Sequence, residues 1–201
     1  MAIIENSFEQ RSDAWYKARL GNPGASEFSN IITSEGNLSK SRENFMFRLA
    51  AEKIRGKSDE AFQSEAMVNG QAKEEEARIF FQLIQHIKIK KVGMIYKDRQ
   101  KLFHTSPDGL IGSDSGIEIK CPLAKTQAKY LIEKKLPTQF FVQIQGNLYV
   151  SERKYWWFMS YCDSMKPLLI RVERDKKFIS ILHIQLIKFC AELREIIKKI
   201  K

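Results

Sequence analysis

Between Ser106 and Lys120 the chain reads Ser-Pro-Asp-Gly-Leu, then a short loop from Ile111 to Gly116, then Ile-Glu-Ile-Lys, with Cys121-Pro122 following. The Ile-Glu-Ile-Lys segment alternates apolar and charged residues, which is the period of a β-strand. Successive side chains of a strand point to opposite faces, so Ile117, Ile119 and Cys121 share one face while Glu118 and Lys120 share the other. A chain carrying this strand must cover the apolar face and set an acid beside an amine on the second. If the preceding turn returns Asp108 to the head of the strand, two carboxylates and an ammonium converge. Hard oxygen donors of this kind can hold a divalent cation, with Lys120 placed to orient or deprotonate a water or to stabilise charge on a phosphate. The plainer reading is an ordinary Pro-Asp-Gly turn and a strand with a solvated charged face.

The rest of the chain supplies helices and strands to cover such a sheet. Ser12-Asp13 read as a cap before a short helix ending at Leu20, and Gly21 with Pro23-Gly24 stops it. A second short helix follows from Ala25 to Ile32. Arg19 and Ser26 flank the turn between them, where free N–H groups and the helix dipole favour an anion. The alternative there is a surface cation and a simple cap. Ser39 to Arg55 is expected to be amphipathic, with Phe45, Leu49 and Ala50 inward and Gly56 as its stop. A longer helix covers about Glu65 to Gln85, and Met67, Gly70, Glu74, Ala77, Phe81 and Ile84 fall on one stripe of it. Glu74 is therefore either a functional carboxylate, paired or bound to metal within the apolar face, or an edge residue that reaches water or pairs with a lysine.

Val92 to Lys97 and Leu102 to Ser106 read as an antiparallel hairpin, with Gly116 to Cys121 as the third consecutive strand of one small sheet. Helices are expected over Ala124–Lys135, with a basic side, and from Pro137 to about Val150, carrying Gln143, Gln145 and Tyr149. Lys154 to Tyr161 and Leu168 to Glu173 read as paired strands, and Phe178 to Ile200 as a closing helix. At 201 residues this suits a single domain over 1–201, with a helical part over about 1–85 and a sheet-containing core over about 86–201.

Charge points to a polyanionic partner, because 34 Lys and Arg stand against 24 Asp and Glu for a net +10. The three cysteines are scattered, with no CxxC pair or Cys/His cluster, so zinc, iron–sulfur and disulfide frameworks are not expected. The N-terminus shows no basic stretch leading into a long apolar one, and no apolar run nears the roughly 20 residues needed to span a bilayer. A cytoplasmic protein with no membrane partner is the expectation.

The order helix, three strands, two helices and strand, with Pro-Asp before the third strand and Glu-x-Lys on it, resembles the PD-(D/E)xK nuclease fold. The chain more closely resembles the phage lambda exonuclease, or YqaJ-type, viral recombinase family. The resemblance is carried by Asp13-Ala14-Trp15 through Gly21, Ala25-Ser26-Glu27, Gly70 with Glu74, Ser106 to Leu110, Glu118 to Pro122, Gln143-Ile144-Gln145 and Glu173-Arg174-Asp175. It implies an α/β (α+β) restriction-endonuclease-like core, a central mixed β-sheet flanked by helices. It also implies that Asp108, Glu118 and the Ile119 carbonyl bind Mg²⁺, with Mn²⁺ as a substitute. Lys120 would activate the attacking water, Glu74 would be a further acid of the site, and Gln143 would match an active-site glutamine. Gln145 with Tyr149 matches a related Gln-x-x-x-Tyr pattern, and Arg19 with Ser26 the pocket for a 5′-phosphate. The implied activity is 5′ to 3′ digestion of one strand of linear double-stranded DNA, leaving a 3′ overhang for a single-strand annealing partner, from a chain that can form a homotrimer. The stretch from Ile32 to Phe62 departs from the family pattern. Rival readings are a PD-(D/E)xK endonuclease of repair or restriction, and a non-catalytic DNA-binding accessory of recombination.

Overall fold

The computed structural model describes residues 1–58 and 65–201, and side chains outside 59–72. The expected stripe positions Met67 and Gly70 therefore lie outside the described side chains. Strands β1 (Ile3–Glu5), β2 (Met94–Tyr96) and β3 (His104–Thr105) form one antiparallel sheet in that order. Strands β4 (Gly109–Ile111), β5 (Ser115–Lys120), β6 (Tyr155–Ser160) and β7 (Leu168–Glu173) form a second, mixed sheet, in which only β5 and β6 run parallel.

The expected single sheet of three consecutive strands is thereby corrected. The β2–β3 hairpin is present, but its third member is β1, drawn from the N-terminal stretch expected to be helical. The Glu-x-Lys strand pairs instead with β4, whose three residues are too few for an alternation pattern to declare itself. Gly109 is not the turn glycine that Pro-Asp-Gly suggests. It is paired with Ile117 inside β4, and a Cβ there would stand 2.0 Å from Ile89 Cγ2. The turn falls later, at Gly112, which has the left-handed φ of 53°.

The helices are α1 (Asp13–Arg19), α2 (Arg42–Arg55), α3 (Glu65–Gln85), α4 (Ala124–Glu133), α5 (Phe141–Ser151) and α6 (Lys176–Ile200). Ser12 caps α1 by accepting the Trp15 N–H, and Asp175 caps α6 by accepting the Phe178 N–H. The segment expected as a second short helix is a 3₁₀ turn, Ala25–Asn30. Helices α4 and α5 form the crossover between β5 and β6, the connection that parallel neighbours require.

The period-two pattern of β5 decides how the layers assemble. Ile117 and Ile119 pack with Ala77 and Phe81 of α3 and with Met159 of β6. On the opposite side, Trp156 and Phe158 of β6 enter the larger core with Ile144 and Leu148 of α5 and Leu182 and Leu186 of α6. Helix α2 closes that core from outside, where Phe45 stacks on Phe189 at 5.4 Å. Glu118 lies on this covered side and is 3% exposed. The charged face of β5 is therefore roofed by α5 rather than solvated.

Candidate active site

An ionised carboxylate under a helix is costly unless its oxygens are satisfied. Glu118 meets that demand with three donors. Lys120 Nζ and Gln143 Nε2 both give to Oε1 at 2.6 Å, and Asn147 Nδ2 gives to Oε2 at 3.0 Å. Gln143 and Asn147 are one helical turn apart on α5, so a single helix face supplies both amides. Asn147 is itself fixed by Thr105 Oγ1, which donates to its Oδ1 at 2.6 Å.

Asp108 stands at the head of β4, and its Oδ2 accepts the Ile119 N–H at 2.6 Å. The chain thus returns Asp108 to the C-terminal end of β5, between Glu118 and Lys120. Burial, followed by the charges of Glu118 and Glu74, pushes its carboxyl well above the usual range despite Lys120 and the Ile119 N–H. Burial alone would lower Lys120, but Glu118 and Asp108 outweigh it and hold its pKa above the ordinary value. In the free chain Lys120 is an ammonium, seated 5.3 Å from the Phe140 ring centroid. Burial also pushes the neighbouring Cys121 thiol up to about 11, so it stays protonated at neutral pH.

Glu74 reaches the same place from α3. Arg78 Nη2 holds its Oε1 at 2.6 Å and Arg11 Nη2 its Oε2 at 2.5 Å, so this partly buried carboxylate is paired with two guanidinium groups. Arg78 also gives its Nε–H to the Asp108 carbonyl at 3.1 Å. Gln10 ties the loop from the other side, donating to the Pro107 carbonyl at 2.8 Å and the Val92 carbonyl at 2.9 Å. A cavity of about 600 Å³ opens over this floor, with Asp108, Glu74, Arg11, Arg78, Lys90 and Lys91 in its lining.

Among the described residues no three Asp, Glu, His or Cys side chains stand as a ready-made metal cage. Magnesium asks for less, because it takes one or two carboxylates and completes its shell with water and phosphate oxygens. The donor set fits it: all the acids are hard oxygen ligands, and Asp108 is crowded by two further carboxylates whose repulsion a cation would relieve.

A family model for the YqaJ-like viral recombinase domain matches residues 14–154. The chain belongs to the YqaJ-like viral recombinase family. Among solved structures it is similar to an alkaline exonuclease from Laribacter hongkongensis, at 28% identity and a TM-score of 0.85 over 94% of this chain and 96% of that one. The complex of that enzyme with dAMP gives 29% identity and a TM-score of 0.86 over the same shares. A phage-related exonuclease from Haemophilus somnus 129PT shares the fold, with a TM-score of 0.65 at 13% identity over 90% of this chain and 96% of that one. No curated protein sequence matches the chain. With the family and the restriction-endonuclease-like core shown, the chain is a metal-dependent nuclease of the PD-(D/E)xK class.

Within this YqaJ-like site, the fold brings Asp108, Glu118, Lys120 and Gln143 together and sets Glu74 on the cavity wall. Ile119 contributes its N–H to Asp108. Gln145 and Tyr149 point elsewhere. Gln145 donates to the Glu173 carbonyl and accepts the Asp175 N–H, and the Tyr149 hydroxyl meets His183 Nδ1 at 2.5 Å. The amide pair that faces β5 is Gln143 with Asn147, so the Gln-x-x-x-Tyr expectation falls on the wrong side of α5. Sequence reasoning does not single out Asn147, Arg78, Arg11 or Gln10. The four-residue step from Gln143 is the available signal for Asn147.

Arg19 and Ser26 flank the turn as expected. The Arg19 guanidinium lies 4.5 Å from the Trp15 ring centroid and 3.6 Å from Glu27 Oε2, and Ser26 is exposed on the 3₁₀ turn. Beneath them His104 is fully buried. Burial first, and the Arg19 charge second, hold it well below 6.5 and therefore neutral.

Proposed function

We propose that this chain is a Mg²⁺-dependent exodeoxyribonuclease that digests one strand of linear double-stranded DNA from its 5′ end and leaves a 3′ single-stranded overhang. The observation that carries the reading is the convergence on β5 of Asp108, Glu118 and Lys120, with Gln143 and Asn147 fixing the orientation of Glu118. Asp108, Glu118 and the Ile119 carbonyl are the groups that would hold Mg²⁺, or Mn²⁺ in its place. When bound, the metal supplies the positive charge that neutralises the phosphodiester and lowers the pKa of an attacking water.

The chain's own groups do the rest. Asp108 is kept in place by the Ile119 N–H, and Gln143 and Asn147 hold the Glu118 carboxylate in one rotamer. Lys120 presents an N–H to the scissile phosphate or to the attacking water, and it can take a proton only once the charges of Glu118 and Asp108 are shared with another partner. Arg19 and Ser26 receive the 5′-phosphate end, and a phosphate there competes with Glu27 for the guanidinium. A single-strand annealing protein as partner, a homotrimer around the duplex, and action in the cytoplasm of a bacterial or phage-infected cell belong to the same proposal. No helix among the described residues is long and apolar enough to cross a membrane.

The test is a linear duplex labelled at one 5′ or one 3′ end, incubated with Mg²⁺ or with EDTA beside a closed circle. Mononucleotides released from the 5′ end only with Mg²⁺, and an intact circle, are the expected result. Cleavage of the circle would make the chain an endonuclease, and no cleavage with any divalent metal would leave a DNA-binding protein.

A further inference from the structure

Both carboxylate oxygens of Glu74 are occupied by guanidinium groups, and the two arginines differ in how they are held. Arg78 is 7% exposed and anchored three times, to Glu74, to Glu75 and to the Asp108 carbonyl. Arg11 is 44% exposed, and its charge partner among the described residues is Glu74, at 2.5 Å. It sits before the cap of α1 with a left-handed φ of 69°, a conformation that is costly for a non-glycine residue and that clusters at functional sites. Both line the cavity floored by Asp108.

From this asymmetry we propose that Arg11 is a substrate-contacting residue, parked on Glu74 in the free chain and transferred to a DNA phosphate when a cation engages the carboxylates. The inference rests on the proposed reading of the site as a metal-dependent nuclease. A guanidinium beside the acids of the cavity repels an arriving cation, so the cation's approach to them is eased when one arginine leaves Glu74. Arg78 cannot leave without abandoning the Asp108 loop. Arg11 swings about one exposed contact, and within the cavity the anion it meets is the phosphodiester. The exchange conserves charge balance: the cation offsets the acids of the cavity, Glu74 keeps Arg78, and the phosphate takes the Arg11 guanidinium. Metal and DNA then strengthen each other's binding, since each removes the partner that competes with the other.

The experiment is Mn²⁺ binding followed by electron paramagnetic resonance, with and without a blunt linear duplex, in a Lys120→Ala background that slows cleavage, each reading taken while gel analysis shows the duplex still full length. Arg11→Gln is expected to tighten Mn²⁺ binding without DNA by about three- to tenfold, the range for releasing a half-exposed ion pair. It is also expected to weaken duplex binding and to shrink the gain in Mn²⁺ affinity that DNA produces. Lys91→Gln removes the same charge from the same cavity but from Glu75, and should tighten Mn²⁺ binding less. Unchanged or weaker Mn²⁺ binding in Arg11→Gln overturns the exchange, and so does an equal effect from Lys91→Gln, which would make it a field effect. Asp108→Ala distinguishes the two levels. If it too leaves Mn²⁺ binding untouched, the metal centre itself is refuted, whereas its loss of Mn²⁺ beside an unaffected Arg11→Gln refutes only the role of Arg11.

Discussion

Asn147→Asp tests whether the amides over β5 are what satisfy the Glu118 carboxyl oxygens under a helix. The substitution keeps the size and shape of a side chain that is 1% exposed and its ability to accept from Thr105. It replaces the donor 3.0 Å from Glu118 Oε2 with an acceptor that carries charge. A hydrogen bond to a charged group is worth about 1.5–3 kcal/mol. Two carboxylates at that separation cannot both ionise, so one must keep a proton at a further cost above its normal pKa. We expect the variant to lose about 2–4 kcal/mol at neutral pH without metal. For a chain of this length that is a fall in Tm of about 4–16 °C. The loss should shrink as pH falls towards 5, because the introduced carboxyl, once protonated, offers an O–H donor where the amide had its N–H. Chemical denaturation in EDTA across pH 5–8 measures it, beside single-turnover cleavage with Mg²⁺, where the tilted Glu118 should slow the reaction. Equal stability at pH 7.5, or a loss that does not vary with pH, would refute the reasoning.

Asp108→Asn is expected to abolish cleavage and yet to stabilise the chain in EDTA by about 0.5–2 kcal/mol, the usual return for relieving a functional site. A carboxyl whose folded pKa is raised contributes stability fully below its unfolded value of 3.8 and loses it as pH rises through the folded value. The advantage of the Asn variant should therefore open as pH rises above about 4 and then level off, and Mg²⁺ should cancel it by binding the unmodified chain; a less stable Asn variant at pH 7.5 in EDTA would count against the assignment. Lys120→Ala should cost about 10²–10³-fold or more in single-turnover cleavage while duplex binding persists, and full activity would remove Lys120 from the mechanism. Arg19→Ala should reduce the preference for 5′-phosphorylated over 5′-hydroxyl ends by about tenfold or more, and equal digestion of both ends by the unmodified protein would remove the pocket's role.

What the sequence made legible was local. The alternation of Ile117 to Lys120 put the acid and the amine on one face, and the four-residue repeat of α3 put Glu74 beside Ala77 and Phe81. Those are short-range periodicities, and they survive folding. The support was not legible, because it arrives from elsewhere in the chain. Nothing in Gln10-Arg11-Ser12 announces that one residue will hold the Pro107 carbonyl and the next Glu74, since both contacts span more than sixty residues. The choice between Gln143 with Asn147 and Gln145 with Tyr149 turned on helix rotation, which neighbouring polar residues on a largely buried helix do not reveal. The division of the strands into two sheets was hidden for a similar reason: β1, β3 and β4 are too short to show a period, and only pairing partners define them.

The segment whose sequence reads as a cap and a short helix also has a mechanical part. Helix α1 has seven residues and no fully buried one, too few turns to persist by its own hydrogen bonds. It is held by polar contacts to the catalytic side of the molecule. The Trp15 indole donates to Ser106 Oγ at 2.9 Å and to the Gly93 carbonyl at 3.2 Å, while its ring carries the Arg19 guanidinium. Gln10 and Arg11 fasten the preceding turn to Pro107 and Glu74. The cation proposed to receive the DNA end and the loop carrying Asp108 are thus mounted on one strap. Because that strap has little core packing of its own, its position is set by the polar contacts it makes with Gly93, Ser106, Pro107 and Glu74, so loosening any one of them loosens the mounting of Arg19 and of the Asp108 loop together.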